Sequence, residues 1–140
     1  MIHNIRAIQK TYDKVSDCIS RLMKSHQFQD ENKAFVILRA TLKALRDRLT
    51  TEEALHLGAQ LPALLRGFYY EGWTLNEQSR IRTKEEFIND VRFHLNGHED
   101  IDLDIATPLA LKIILDMIDQ GEAIEVLHQL PREIQELCPE

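Results

Sequence analysis

Glycine and proline are scarce in this 140-residue chain, at five and four, which leaves little punctuation and favours helical runs. The two cysteines, Cys18 and Cys138, sit near opposite ends without CxxC spacing. They read as unpaired thiols of a reducing compartment, with one long-range disulfide as the alternative. No apolar run approaches the length of a membrane span, and the N-terminal MIHNIRAIQK lacks the apolar core of a secretory signal. The expectation is a cytoplasmic protein with no membrane attachment. There is no Walker loop, GxGxxG, GxSxG or HExxH, so the common nucleotide-binding and hydrolase readings have no support, and no cofactor is expected.

What is present is an ordinary globular composition, 44% hydrophobic and 29% charged, on a chain of one-domain size. The charge is uneven. Residues 1–70 carry 11 Lys/Arg against 7 Asp/Glu, whereas residues 71–140 carry 6 against 16. Such asymmetry fits either an anionic partner for the first half or two halves that complement each other within one fold.

Apolar spacing of three and four predicts helices along the whole chain. Ile5, Ile8, Tyr12, Val15, Ile19 and Leu22 form one stripe over residues 4–24, capped by Asn4, as either one helix or two with a break near Thr11. A second helix, 33–49, follows a cap at Asp30 or Asn32, and places Arg39, Lys43 and Arg46 on the face opposite its Leu stripe. Thr50 and Glu53 make a capping box for a short helix over 51–60, and Pro62 opens another that Gly72 closes. Thr83 and Glu86 repeat the capping box before Phe87, Ile88, Val91 and Leu95. Thr107 and Pro108 start a helix over 108–119, and helices at 122–129 and 131–138 complete the chain.

The pattern repeats. A shift of 69 lays EALHLGAQLPALLR (53–66) over EAIEVLHQLPREIQ (122–135), with Gln60-Leu61-Pro62 over Gln129-Leu130-Pro131. Upstream, a shift of 72 superposes Thr11 on Thr83, Val15 on Phe87 and Ile19 on Val91. This predicts an all-α fold of about eight helices in two tandem four-helix repeats, about 11–73 and 83–138, joined by a connector at 74–82. Residues 1–10 read as an extension. The halves are too small to be comfortable alone, so a single domain over 1–140, one shared core and a pseudo-two-fold relation are expected.

The stretch Leu49-Thr50-Thr51-Glu52-Glu53-Ala54, His56-Leu57, Ala59-Gln60-Leu61-Pro62, Leu64-Leu65-Arg66-Gly67 and Tyr69-Tyr70-Glu71-Gly72-Trp73 resembles the signature of a bacterial family known as domain of unknown function 2267. The resemblance implies an all-helical bacterial domain and carries over no activity or catalytic residue.

Arg66 to Trp73 has no counterpart in the second half and holds the only Trp. A residue set used once in a repeat is where recognition would sit, and aromatics beside a carboxylate suit it. The competing reading has Tyr69 and Trp73 plugging the interior. His56, Arg66, Tyr70 and Glu71 supply a base, a cation, a phenol and a carboxylate for a ligand or a reaction if two short helices fold back on each other. Nothing in the spacing forces this, and no catalytic residue is assigned. His94 and His98 have helical metal-pair spacing beside Glu99, Asp100, Asp102 and Asp104, but Asn96-Gly97 breaks the helix between them. The acidic run also lacks the Gly and Glu of a calcium loop. No metal site is expected. The Arg39, Lys43, Arg46 stripe can meet an anionic polymer, yet the net charge of −6 and the missing DNA-binding signatures weigh against nucleic acid. The expected role is a non-catalytic interaction or regulatory module that binds another protein near Tyr69–Trp73, through His56, Arg66, Tyr69, Tyr70, Glu71 and Trp73. Self-association is compatible with the sequence.

Overall fold

The computed structural model describes residues 5–26, 30–75, 82–97 and 100–139. The described residues form eight helices: α1 (Arg6–His26), α2 (Glu31–Arg48), α3 (Thr51–Gln60), α4 (Ala63–Tyr70), α5 (Lys84–Leu95), α6 (Leu103–Met117), α7 (Gln120–Gln129) and α8 (Arg132–Gln135). There is no strand among them, and the fold is all-α. The expected cap at Asn4, the His98 and Glu99 of the supposed metal pair, and most of the connector lie outside the described residues.

The helix starts follow the side chains. Asp30 accepts from the Asn32 amide and starts α2. Thr83 and Glu86 make both bonds of a capping box at α5. At α3 only half of the predicted box forms. Thr50 accepts from the Glu53 amide at 3.2 Å, but the Glu53 carboxylate turns inward. The Thr50 amide and hydroxyl instead reach Gln129 Oε1 at 3.3 and 3.2 Å. The Asp119 amide at the start of α7 donates to Gln60 Oε1 at 3.3 Å. Each helix therefore ends on a glutamine that bonds the start of the other, so α3 and α7 lie antiparallel. Pro62 and Pro131 hold matching extended conformations, φ −54° and −57°, ahead of α4 and α8.

Helix α2 is the hub, packed against α1, α4, α5 and α6. Its Ala34, Ala40 and Ala44 are as buried as Ile37, Leu38, Leu42 and Leu45, so it has almost no solvent face. Buried residues from all eight helices join one apolar cluster, from Val15 of α1 to Ile134 of α8. The eight helices thus share one interior.

The structure settles three points of helix placement. α1 runs unbroken through Thr11, whose hydroxyl accepts from the Leu64 amide at 2.9 Å. That bond serves α4, whose own N-cap Pro62 offers no side-chain acceptor. α6 starts at Leu103 rather than Pro108, because Asp102 caps it and Leu103 and Ala106 bury their side chains. Pro108 then sits inside the helix, where the carbonyl it leaves unbonded belongs to exposed Asp104. Third, the final helix is a single turn rather than a span over 131–138.

Candidate functional site

Arg66 to Trp73 faces inward for the most part. Tyr69 is fully buried, and its hydroxyl donates to the Ala54 carbonyl at 2.6 Å. Burial pushes that phenol far above its ordinary pKa, so it stays neutral. Tyr70 packs on Tyr69 at 5.0 Å between ring centroids and stacks on Trp73 at 5.6 Å. Both Tyr70 and Trp73 remain half-buried. Gly58 of α3 admits Tyr70, since a Cβ at that position would collide with the phenol oxygen. Arg66 donates to the carbonyls of Gly58, Ala59 and Leu61, tying off the end of α3. Gly72 takes the expected left-handed conformation, φ +70°.

The four groups proposed for a reactive pocket do not converge. Arg66 and Tyr70 meet at Gly58, while exposed Glu71 pairs with Lys43 at 3.4 Å. His56 lies on the other face of α3, beside α7.

The basic stripe is also dissolved. Arg46 is 2% exposed and donates to the carbonyls of Tyr69 and Glu71 at 2.7 and 2.9 Å. Arg39 lies over the rings of Phe35 and Phe68, 5.4 and 5.9 Å from their centroids, and Lys43 is the partner of Glu71. The face opposite the Leu stripe of α2 is covered by α4, so these cations hold the fold together.

Two clusters of acidic side chains and histidine stand out. In the first, Asp47 takes Arg46 on one oxygen at 2.7–2.8 Å, and its other oxygen lies 2.9 Å from His94 Nε2. Asp90 completes the group. Burial raises its pKa, opposed by the His94 charge beside it. This set carries its own cation.

In the second, Glu53 and His56 of α3 face Glu122 and Glu125 of α7, with one donor atom of each lying within 4.8 Å of the others. Glu53 is 5% exposed, and one of its oxygens is buried without a hydrogen-bond partner, as is one of Glu122. Burial first, and the neighbouring Glu53 carboxyl second, push Glu122 up to about 8. Further charges acting on it, Glu125 and Asp119, are also negative. Local spacing in the sequence points to His94 and His98 and does not reach this group. The signal was in the repeat itself, because the shift of 69 lays Glu53 on Glu122 and His56 on Glu125. Equivalent residues meet where equivalent helices pack.

The surface also holds two concavities. One of about 470 Å³ lies between α1, α2 and α4, walled by Tyr12, Ile19, Met23, Phe35, Leu64 and Phe68. The other, about 590 Å³, lies between α1 and the α3–α4 junction, and has mixed charge with Arg21 paired to Asp116 at 2.9 Å. Among the described residues no helix is long and apolar enough to cross a membrane.

No protein of curated function matches the sequence. The family model described as an uncharacterized conserved protein, DUF2267, matches residues 16–137. The match spans every helix from the middle of α1 onward, so the chain belongs to the DUF2267 family.

Proposed function

We propose that the chain is a non-catalytic interaction module, and that its partner is another protein that presents an amphipathic helix with acidic flanks. The observation that carries this is the reach of α1. Its apolar stripe is buried at Val15, Cys18 and Leu22, then continues into solvent at Tyr12 and Ile8, each 58% exposed, and at Ile5, 42% exposed. An apolar stripe that outruns its own core is an unfinished helix interface. Leu64 of α4 is exposed next to it, and the α1–α2–α4 groove continues the same face. Arg6, Lys10, Lys14 and Lys24 outnumber Asp13 and Asp17 along α1, which favours an acidic partner.

The Tyr70–Trp73 pair supports a second, smaller surface, because both rings keep solvent-facing edges beside exposed Glu71. A helical peptide with Leu on one face and Glu on its flanks separates the two. Binding measured by fluorescence anisotropy should be lost in Tyr12→Asp and Leu64→Asp and retained in Trp73→Ala. The opposite pattern moves the surface to Tyr70–Trp73, and binding indifferent to all three variants sinks the module reading at both places.

A further inference from the structure

We propose that Glu53, His56, Glu122 and Glu125 form a site for one divalent first-row transition ion, which clamps α3 to α7. The inference is independent of the α1 groove and rests on a different part of the molecule.

Spacing supplies the donors. Glu53 and His56 are three apart on α3, and Glu122 and Glu125 are three apart on α7, so each pair projects from one face of its helix. The helices are antiparallel, which brings both pairs to the same level. One donor atom from each of the four residues lies within 4.8 Å of the rest. Ligand atoms around a tetrahedral ion with bonds near 2.1 Å sit about 3.4 Å apart. The remaining contraction falls to His56 and Glu125, which are exposed and free of core packing.

The stronger argument is what the cluster lacks. Glu53 is 5% exposed, and a buried oxygen of its carboxylate is left without a donor. Glu122 has a buried oxygen in the same state. Among the described residues no lysine or arginine pairs with any of the four. A buried carboxylate without a donor or a counter-charge is strongly disfavoured unless it takes up a proton or a cation. The Asp47 cluster shows the other solution in the same molecule, where Arg46 supplies the charge. At α3–α7 the positive charge must come from outside.

The donor set selects the ion. Three carboxylates and an imidazole suit Zn²⁺, Fe²⁺ or Mn²⁺. The imidazole argues against Mg²⁺ and Ca²⁺, which prefer oxygen throughout, and the absence of sulfur argues against Cu⁺. Zn²⁺ stands above Mn²⁺ and Fe²⁺ in affinity for such sites and is the natural probe.

The test uses the full chain after chelator treatment, titrated with Zn²⁺ by calorimetry and thermal melting, with Mg²⁺ and Ca²⁺ in parallel. One Zn²⁺ per chain should bind and raise the melting temperature by several degrees, while Mg²⁺ and Ca²⁺ at the same concentration leave it unchanged. Co²⁺ should bind with visible absorption bands of a four- or five-coordinate ion. His56→Ala removes an exposed ligand and should leave metal-free melting unchanged, yet weaken Zn²⁺ binding roughly ten-fold or more. Glu122→Gln should weaken it by at least as much. Absence of a saturable Zn²⁺ site, or equal Zn²⁺ affinity in the native protein and both variants, overturns the proposal.

Discussion

Two clusters in this protein start from the same ingredients and resolve their charge differently. Asp47, Asp90 and His94 join α2 to α5, and Glu53, His56, Glu122 and Glu125 join α3 to α7. The first includes the buried guanidinium of Arg46, which also holds the Tyr69 and Glu71 carbonyls at the end of α4. One cation thus ties three helices, and every heavy hydrogen-bonding nitrogen of Arg46 has a partner. The second has three carboxylates, one exposed histidine and two buried oxygens without donors, whereas the single such oxygen of the first, on Asp90, lies near the charge of Arg46. A cluster that neutralises itself is a piece of architecture. A cluster left with surplus negative charge on buried groups is a place for a proton or a metal.

The largest expected effect breaks the self-neutralised side. Arg46→Met should cost about 3–5 kcal/mol, because Asp47 loses its cation and two carbonyls lose their donor. Arg46→Lys should recover little of it, since an ammonium cannot span the planar fork of partners. Chemical denaturation with an unchanged slope is the check, and a loss below about 1 kcal/mol would reduce the network to a surface pair.

Next comes the aromatic seal that only the first half possesses. Gly58→Ala should destabilise by about 1–3 kcal/mol, because the added methyl meets Tyr70 where it is stacked on Trp73. Gly58→Ala combined with Tyr70→Leu should be less damaging than the two losses added together.

The surplus-charge side should show itself in the pH dependence of the metal-free protein. Glu122 stands at about 8 when folded against an ordinary 4.5, so the folded state holds the extra proton between those values. Its contribution is complete below about pH 4.5 and is lost as pH rises through about 8. Glu53 and His56 from α3, Glu125 and Asp119 on its own side, and neutral Tyr69 from α4 are the groups around it. Glu122→Gln should flatten that slope in thermal melts. The smallest effect tests what the halves share. Pro62→Gly and Pro131→Gly should each cost about 0.4–1 kcal/mol, and add, since both residues only preset a helix start.

Much of the fold was legible because it is written in local chemistry. Thr83 with Glu86, Asp30, Pro62, Pro131 and Gly72 mark helix ends that the structure keeps. The start of α6 was misplaced, because Pro108 is a stronger local signal than Asp102, and the deciding factor was burial of Leu103 and Ala106 by distant helices. Arg46 was read as a surface cation because a helix pattern shows a polar face, not whether a fourth helix covers it. Of the two aromatics that either plug the interior or bind, Tyr69 is buried and Trp73 stays half-buried, and nothing local marks Gly58 as the residue that admits Tyr70. The α3–α7 cluster was visible only by treating the repeat as a contact map, so that each residue is tested against its own equivalent.

The two clusters hold different charge balances, one neutralised from within and one not, and one matched substitution in each measures it. Asp47→Asn and Glu122→Gln make the same change, a carboxylate to an amide. In metal-free buffer near pH 8, Asp47→Asn should lower the melting temperature by several degrees, as Arg46 loses its counter-ion, whereas Glu122→Gln should leave it unchanged or raise it. Equal losses in the two variants would mean that the two clusters do not differ in charge balance.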